Sequence, residues 1–224
     1  MITIQFKRFG NGIFVPHVDV LRNLNRTFRR AEIDVGYSKG FVKHMKLKLT
    51  QPLPFGVADE DGYVTADVEV EDLKKALNDF NENCPPFLRA VAIYRTEKNP
   101  NLAGIVNFCD YVVPARLNSE QIDAINTLPV DYAITIKKGD VEEKKSTEGL
   151  IKRICADENG LRATLAFGNV NLRIDKLIEQ FNSDFSTRFE LTETTRTVQR
   201  IVSDKDTTVA DFLKNIASEC FFAS

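Results

Sequence analysis

No two cysteines in this 224-residue chain stand close together. Cys84, Cys109, Cys155 and Cys220 are widely spread and no C-x-x-C occurs. Structural zinc sites and iron–sulfur clusters are usually built on neighbouring thiolates, so this spacing argues against both and for reduced, mostly buried thiols. No metal and no cofactor is expected. No apolar run approaches the roughly 18 residues of a membrane-spanning helix. The opening MITIQFKRFGNG lacks the apolar core and small-residue cleavage site of a signal peptide and reads as a strand, so a cytoplasmic protein with no membrane partner is expected. The phosphate-binding G-x-x-x-x-G-K-[ST], G-x-G-x-x-G after a strand, G-x-S-x-G and H-E-x-x-H are all missing, as are clustered cysteines for a radical-generating cluster. Only two histidines, His17 and His44, are available for acid–base chemistry.

What the chain has is a core and an uneven charge. Hydrophobic residues make up 43% and charged residues 28%, enough for one large domain or two smaller ones. The net charge of −2 conceals a split. Residues 1–50 hold ten Lys/Arg against three Asp/Glu, a balance of +7, which leaves 20 against 29, or −9, for the rest. Such asymmetry bears on partners rather than on fold.

Periodicity gives one plan twice. Alternation at 2–8, helical spacing over 16–31, strands at 44–50 and 62–70, a helix at 71–82 stopped by Pro85-Pro86, and a strand at 87–95 spell strand–helix–strand–strand–helix–strand. After TEKNPNLAG the order recurs. A strand at 104–113 leads to a helix capped by Asn118 with Gln121 completing a capping box. Strands near 131–138, 149–156 and 160–167 follow, turning at Gly139-Asp140 and Asn159-Gly160, then a helix at 173–185 and a strand at 187–200. A last helix is expected over 207–220. The expected fold is α+β, two tandem ferredoxin-like (βαββαβ) units with antiparallel sheets, residues 1–96 and 104–224, the second with one extra strand.

The positive charge gathers in a candidate anion site. On the first helix Arg22, Arg26, Arg29 and Arg30 fall on one arc opposite Leu21, Leu24 and Phe28. Guanidinium groups so arranged can grip phosphates; the plain alternative is a solvated face, with Asp19 answering Arg22. The glycines around Ser38, Lys39 and Gly40 can turn backbone amides toward an anion, or simply turn the chain. Lys46 and Lys48 share a strand face with His44, beside Lys43, while Met45, Leu47 and Leu49 take the other. His17, at the helix start, points toward the apolar arc.

These residues also carry a resemblance. Phe14, His17, Asp19, Arg29, Arg30, Tyr37-Ser38, Gly40-Phe41, and Pro52-Leu53-Pro54 with Gly56 match the signature of the radical SAM-linked protein family, a bacterial domain of unknown function. Where that family continues Asn-Pro-His-Pro, this chain has Val42-Lys43-His44-Met45, keeping the histidine and losing both prolines. The resemblance implies a non-catalytic accessory or substrate-binding protein beside a radical SAM enzyme of the B12-binding type. Binding of RNA or another phosphate-rich ligand through the basic patch is the expectation drawn from the charge. The fold plan also resembles CRISPR repeat-processing endonucleases, which gives the alternative: a metal-independent RNA endonuclease using His17 or His44.

Overall fold

Apolar residues at every second position of Ile2–Arg8 make β1, with Ile2, Ile4 and Phe6 on one buried face. The computed structural model describes residues 1–39, 41–129, 132–138 and 141–223. After β1 come a short 3-10 turn (Gly10–Phe14), α1 (His17–Arg30), β2 (Leu47–Leu49), β3 (Ala58–Ala66), α2 (Leu73–Asn83) and β4 (Leu88–Arg95). The second half holds α3 (Leu102–Ile105), β5 (Phe108–Pro114), α4 (Ser119–Asn126), β6 (Ala133–Lys138), β7 (Val141–Ser146), β8 (Ile151–Asp157) and β9 (Gly160–Ala166). It ends with α5 (Ile174–Asp184), β10 (Thr195–Val202), β11 (Asp206–Thr208), α6 (Val209–Ile216) and β12 (Glu219–Phe222).

This is a mixed α+β fold around a large, mostly antiparallel sheet. In the first half β4 pairs β1, β1 pairs β3, and β3 pairs β2; in the second, β10 pairs β5, β5 pairs β9, and β9 pairs β8. The two sets do not form separate sheets. They join through β3 and β10, which pair in parallel at Ala58 with Thr195 and Asp59 with Arg196. The result is one ten-stranded sheet, running from β12 to β8 with β2 and β11 off its main path. The extra strand of the second half is one arm of a detached two-stranded hairpin, β6–β7; its expected turn at Gly139-Asp140 lies outside the described residues.

Helix packing follows the apolar stripes. Val20, Leu24 and Phe28 of α1 are buried against the sheet and α2, with the Phe28 and Phe80 rings edge to face at 5.4 Å. Leu177, Ile178 and Phe181 of α5 fill the second core, where α6 adds Val209 and Leu213. The reciprocal capping box at Asn118 and Gln121 is present. At the other expected turn Gly160 takes φ +131°, a conformation that favours glycine.

The chain departs from expectation at its end. The helix expected over 207–220 stops at Ile216, and the next residues pair with β4 as β12. An open strand edge offers unpaired N–H and C=O groups, and the Phe222 ring gains an edge contact with Tyr94 at 5.9 Å, so sheet pairing prevails over helix continuation. The last long strand also begins later, at Thr195, because residues 191–193 form a 3-10 turn.

Candidate functional site

The arginine stripe of α1 is on the surface. Arg22, Arg26, Arg29 and Arg30 are all exposed, opposite the buried Leu24 and Phe28. Arg22 is held by Asp19 at 2.8 Å, as its spacing implies. Arg30 donates to the Asn83 carbonyl oxygen, and Arg29 stands over the Tyr37 ring at 6.0 Å. Arg26 has no ion-pair partner among the described residues.

The segment after α1 is a small hairpin. Lys46 N–H donates to the Gly36 carbonyl, Tyr37 bridges Met45, and Ser38 N–H donates to the His44 carbonyl at 2.8 Å. The Ser38 hydroxyl accepts from His44 N–H at 3.0 Å, so its role here is to close the loop. Lys39, Lys43 and His44 are exposed around a tip that carries Phe41 fully into solvent, with 107% exposure, and leaves Val42 largely exposed. Gly40 lies outside the described residues. The stripe reaches this hairpin through Arg29 and Tyr37.

Two of the expected cations point elsewhere. Leu47 and Leu49 of β2 pack into the cluster shared with α1 and α2, so Lys46 and Lys48 occupy the opposite face of the strand. Lys46 is also neutralised by Asp67 at 2.8 Å, which holds that carboxyl below its ordinary range. The patch is therefore divided: the stripe of α1 with the hairpin tip on one side, Lys46 and Lys48 on the other. The histidines are apart as well. His17 opens α1, whereas Arg29, which meets the hairpin, lies twelve residues on, or about 18 Å at 1.5 Å per residue.

His17 belongs to a different constellation, one that periodicity did not single out. It lines a narrow crevice with Phe6, Arg8, Val20, Thr50, Asp59, Tyr63 and Arg196, beneath the strap formed by residues 51–56. Arg196 is 2% exposed and makes a bidentate pair with Asp59, at 3.0 Å and 2.6 Å. Its guanidinium lies over the Phe167 ring at 5.3 Å, and its Nη1 has no hydrogen-bond partner among the described residues. Burial works against the Arg196 charge, but Asp59 more than offsets it, so its pKa is raised. Arg8, also buried, donates among the described residues to the Val15 and Val57 carbonyls. Burial depresses the His17 pKa and the charges of Arg8 and Arg196 depress it further, which disfavours the charged imidazole.

Beside this pair Asp61 accepts from Gln5 at 2.7 Å, the Tyr63 hydroxyl at 2.6 Å and Gln199 N–H at 2.6 Å. Burial raises its pKa while the Tyr63 and Gln199 bonds oppose the rise. The Gln199 side chain donates to the Asp61 carbonyl and to the Thr50 hydroxyl. The halves thus meet at a seam of buried polar side chains. The strap's Gln51, Pro52 and Leu53 also line a second, wider cleft with Phe55, Tyr111 and Phe167.

No curated protein matches the chain. A family model does, over residues 1–171, a span that includes the stripe, the hairpin, the strap, Arg8, His17 and Asp59 and stops short of Arg196. With three quarters of its length matched, the chain belongs to the family described as "Uncharacterized protein conserved in bacteria (DUF2344)".

Proposed function

We propose that this protein is a non-catalytic binding module that takes RNA or another phosphate-rich ligand on the α1 stripe and the tip of the following hairpin. The observation that carries the reading is the exposure of Arg26, Lys39 and Lys43 with no ion-pair partner among the described residues. Unpaired surface guanidinium and ammonium groups are free to displace counterions from a polyanion. Phe41 at the tip adds a ring on which a base can stack. The repeated pairing order fits two ferredoxin-like units joined edge to edge. On the N-terminal resemblance, the protein acts beside a radical SAM enzyme of the B12-binding type.

Fluorescence anisotropy with a single-stranded RNA tests this. Affinity is expected to fall with salt by about −0.7 in the log–log slope per neutralised phosphate, and Arg26→Glu with Lys43→Glu to remove one to two such contacts. Binding that ignores both salt and charge reversal refutes the reading. Chelator-resistant cleavage of the RNA, lost in His17→Ala, would instead support a nuclease.

A further inference from the structure

Two buried cations at the seam lack full compensation. Arg8 has no carboxylate within ion-pair distance among the described residues; Asp59, which acts on it from farther off, is already committed to both Nε and Nη2 of Arg196. The Arg196 Nη1 is buried without a hydrogen-bond partner among the described residues. The Cys109 thiol nearby is pushed up to about 12 by burial, so it is a neutral and weak acceptor. A buried guanidinium N–H left unmade costs free energy, and native proteins rarely leave one idle. His17 adds an imidazole to the same crevice, with no side-chain hydrogen bond among the described residues.

We infer that this crevice is a site for the carboxylate head of a small ligand, held by Arg8, Arg196 and His17, whose apolar body occupies the adjoining cleft. The crevice, about 20 Å³, has room for little more than one water-sized group. A space of that size admits one oxygen of the head, and a planar carboxylate at its mouth can supply that oxygen with less steric demand than a tetrahedral phosphate. The adjoining cleft, about 330 Å³, has Leu53, Phe55, Tyr111, Phe167, Leu172 and Ile174 for a ring or alkyl chain to lie against, while Gln51, Asn171 and Arg173 make part of its wall polar. Gln51, Pro52 and Leu53 line both spaces, so the two are immediate neighbours along the strap. The site is separate from the α1 stripe and does not depend on RNA binding.

Proton linkage follows from the arrangement. The groups facing His17 are Arg8 from β1, Asp59 and Tyr63 from β3, and Arg196 from β10, with Asp61 behind. A bound carboxylate offsets the two arginines and raises the depressed His17 pKa, so affinity rises as pH falls toward the acid side of neutrality.

Isothermal titration of the full chain with benzoate, hexanoate, phenyl phosphate and inorganic phosphate tests the site. Both carboxylates are expected to bind, more tightly near pH 6. Arg8→Gln should weaken them about 10- to 100-fold, the range for hydrogen bonds to a charged group. Leu53→Trp, at a half-buried strap position that leaves the arginines in place, should block the cleft and lower affinity for the longer probes. His17→Gln should abolish the pH dependence. No carboxylate binding at millimolar probe, phosphates binding in preference, or affinity unchanged in both Arg8→Gln and Leu53→Trp overturns the inference.

Discussion

Replacing Asp59 with asparagine keeps the shape of the seam and removes its compensating charge. Arg196 would then be a fully buried cation with no ion-pair partner, set among the Phe167 ring, the Cys109 thiol, Tyr111 and a second cation, Arg8, with the hydrogen-bonded Asp61 carboxylate farther off. Removing one partner of a buried pair costs about 3–5 kcal/mol, because the stranded charge can neither be rehydrated nor neutralised. For a chain of this length each kcal/mol moves the melting temperature by about 2–4 °C, so Asp59→Asn is expected to lower it by about 6–20 °C. The seam also makes a sharper claim. Substituting both partners with apolar residues of similar size, Asp59→Leu with Arg196→Met, removes the desolvation penalty along with the pair. The double variant should therefore be more stable than Asp59→Asn alone. Urea unfolding of the wild type, the singles and the double gives the coupling energy directly. If Asp59→Asn unfolds within about 1 kcal/mol of the wild type, the range of an exposed pair, the account of the seam is wrong.

Further outcomes follow from single side chains. His17 has a folded pKa below its unfolded value, so between the two the unfolded chain binds the extra proton. Its stabilising contribution is present above about pH 6.5 and is lost as pH falls through the folded pKa, and His17→Gln should flatten that part of the stability–pH curve. Gly160→Ala should destabilise by about 1–3 kcal/mol in denaturant melts, since φ is +131° and the added methyl meets the Val113 carbonyl; an unchanged midpoint would rule out that turn. Thiol titration of the native protein should find exposed Cys155 and Cys220 fast and Cys84 slower. Cys109, buried with its pKa near 12, should react only after unfolding.

The elements that could be read from sequence are those whose signal is local. α1, α2 and α5 each carry an apolar stripe over three turns, and Asn118 with Gln121 marks its helix start within four residues. The alternation of Lys46 and Lys48 with Leu47 and Leu49 was legible too, but not which side of the sheet α1 would take, and that decided the division of the basic patch. β12 was hidden because Ala217–Phe222 can continue a helix as readily as form a strand; only the free edge of β4 selects between them. The seam was the least legible. Asp59 and Arg196 are 137 residues apart, and a charged residue in a strand ordinarily reads as solvent-facing. ADEDGY, with three acids at the start of an otherwise apolar strand, was the one local hint that a buried cation lay opposite.

The pairing of β12 with β4 bears on how the protein is made. Glu219 meets Arg95 across 124 residues of sequence, and at about 5–20 residues per second the ribosome takes roughly 6–25 s to deliver one after the other. During that interval the outer edge of β4, running through Ala92, Ile93 and Tyr94, has no neighbour, although β1 and β3 are already available to pair behind it. An open apolar edge on a nascent chain is where neighbouring polysome copies can add to one another, so the interval between those two strands is a window of exposure that the stability of the finished sheet does not shorten.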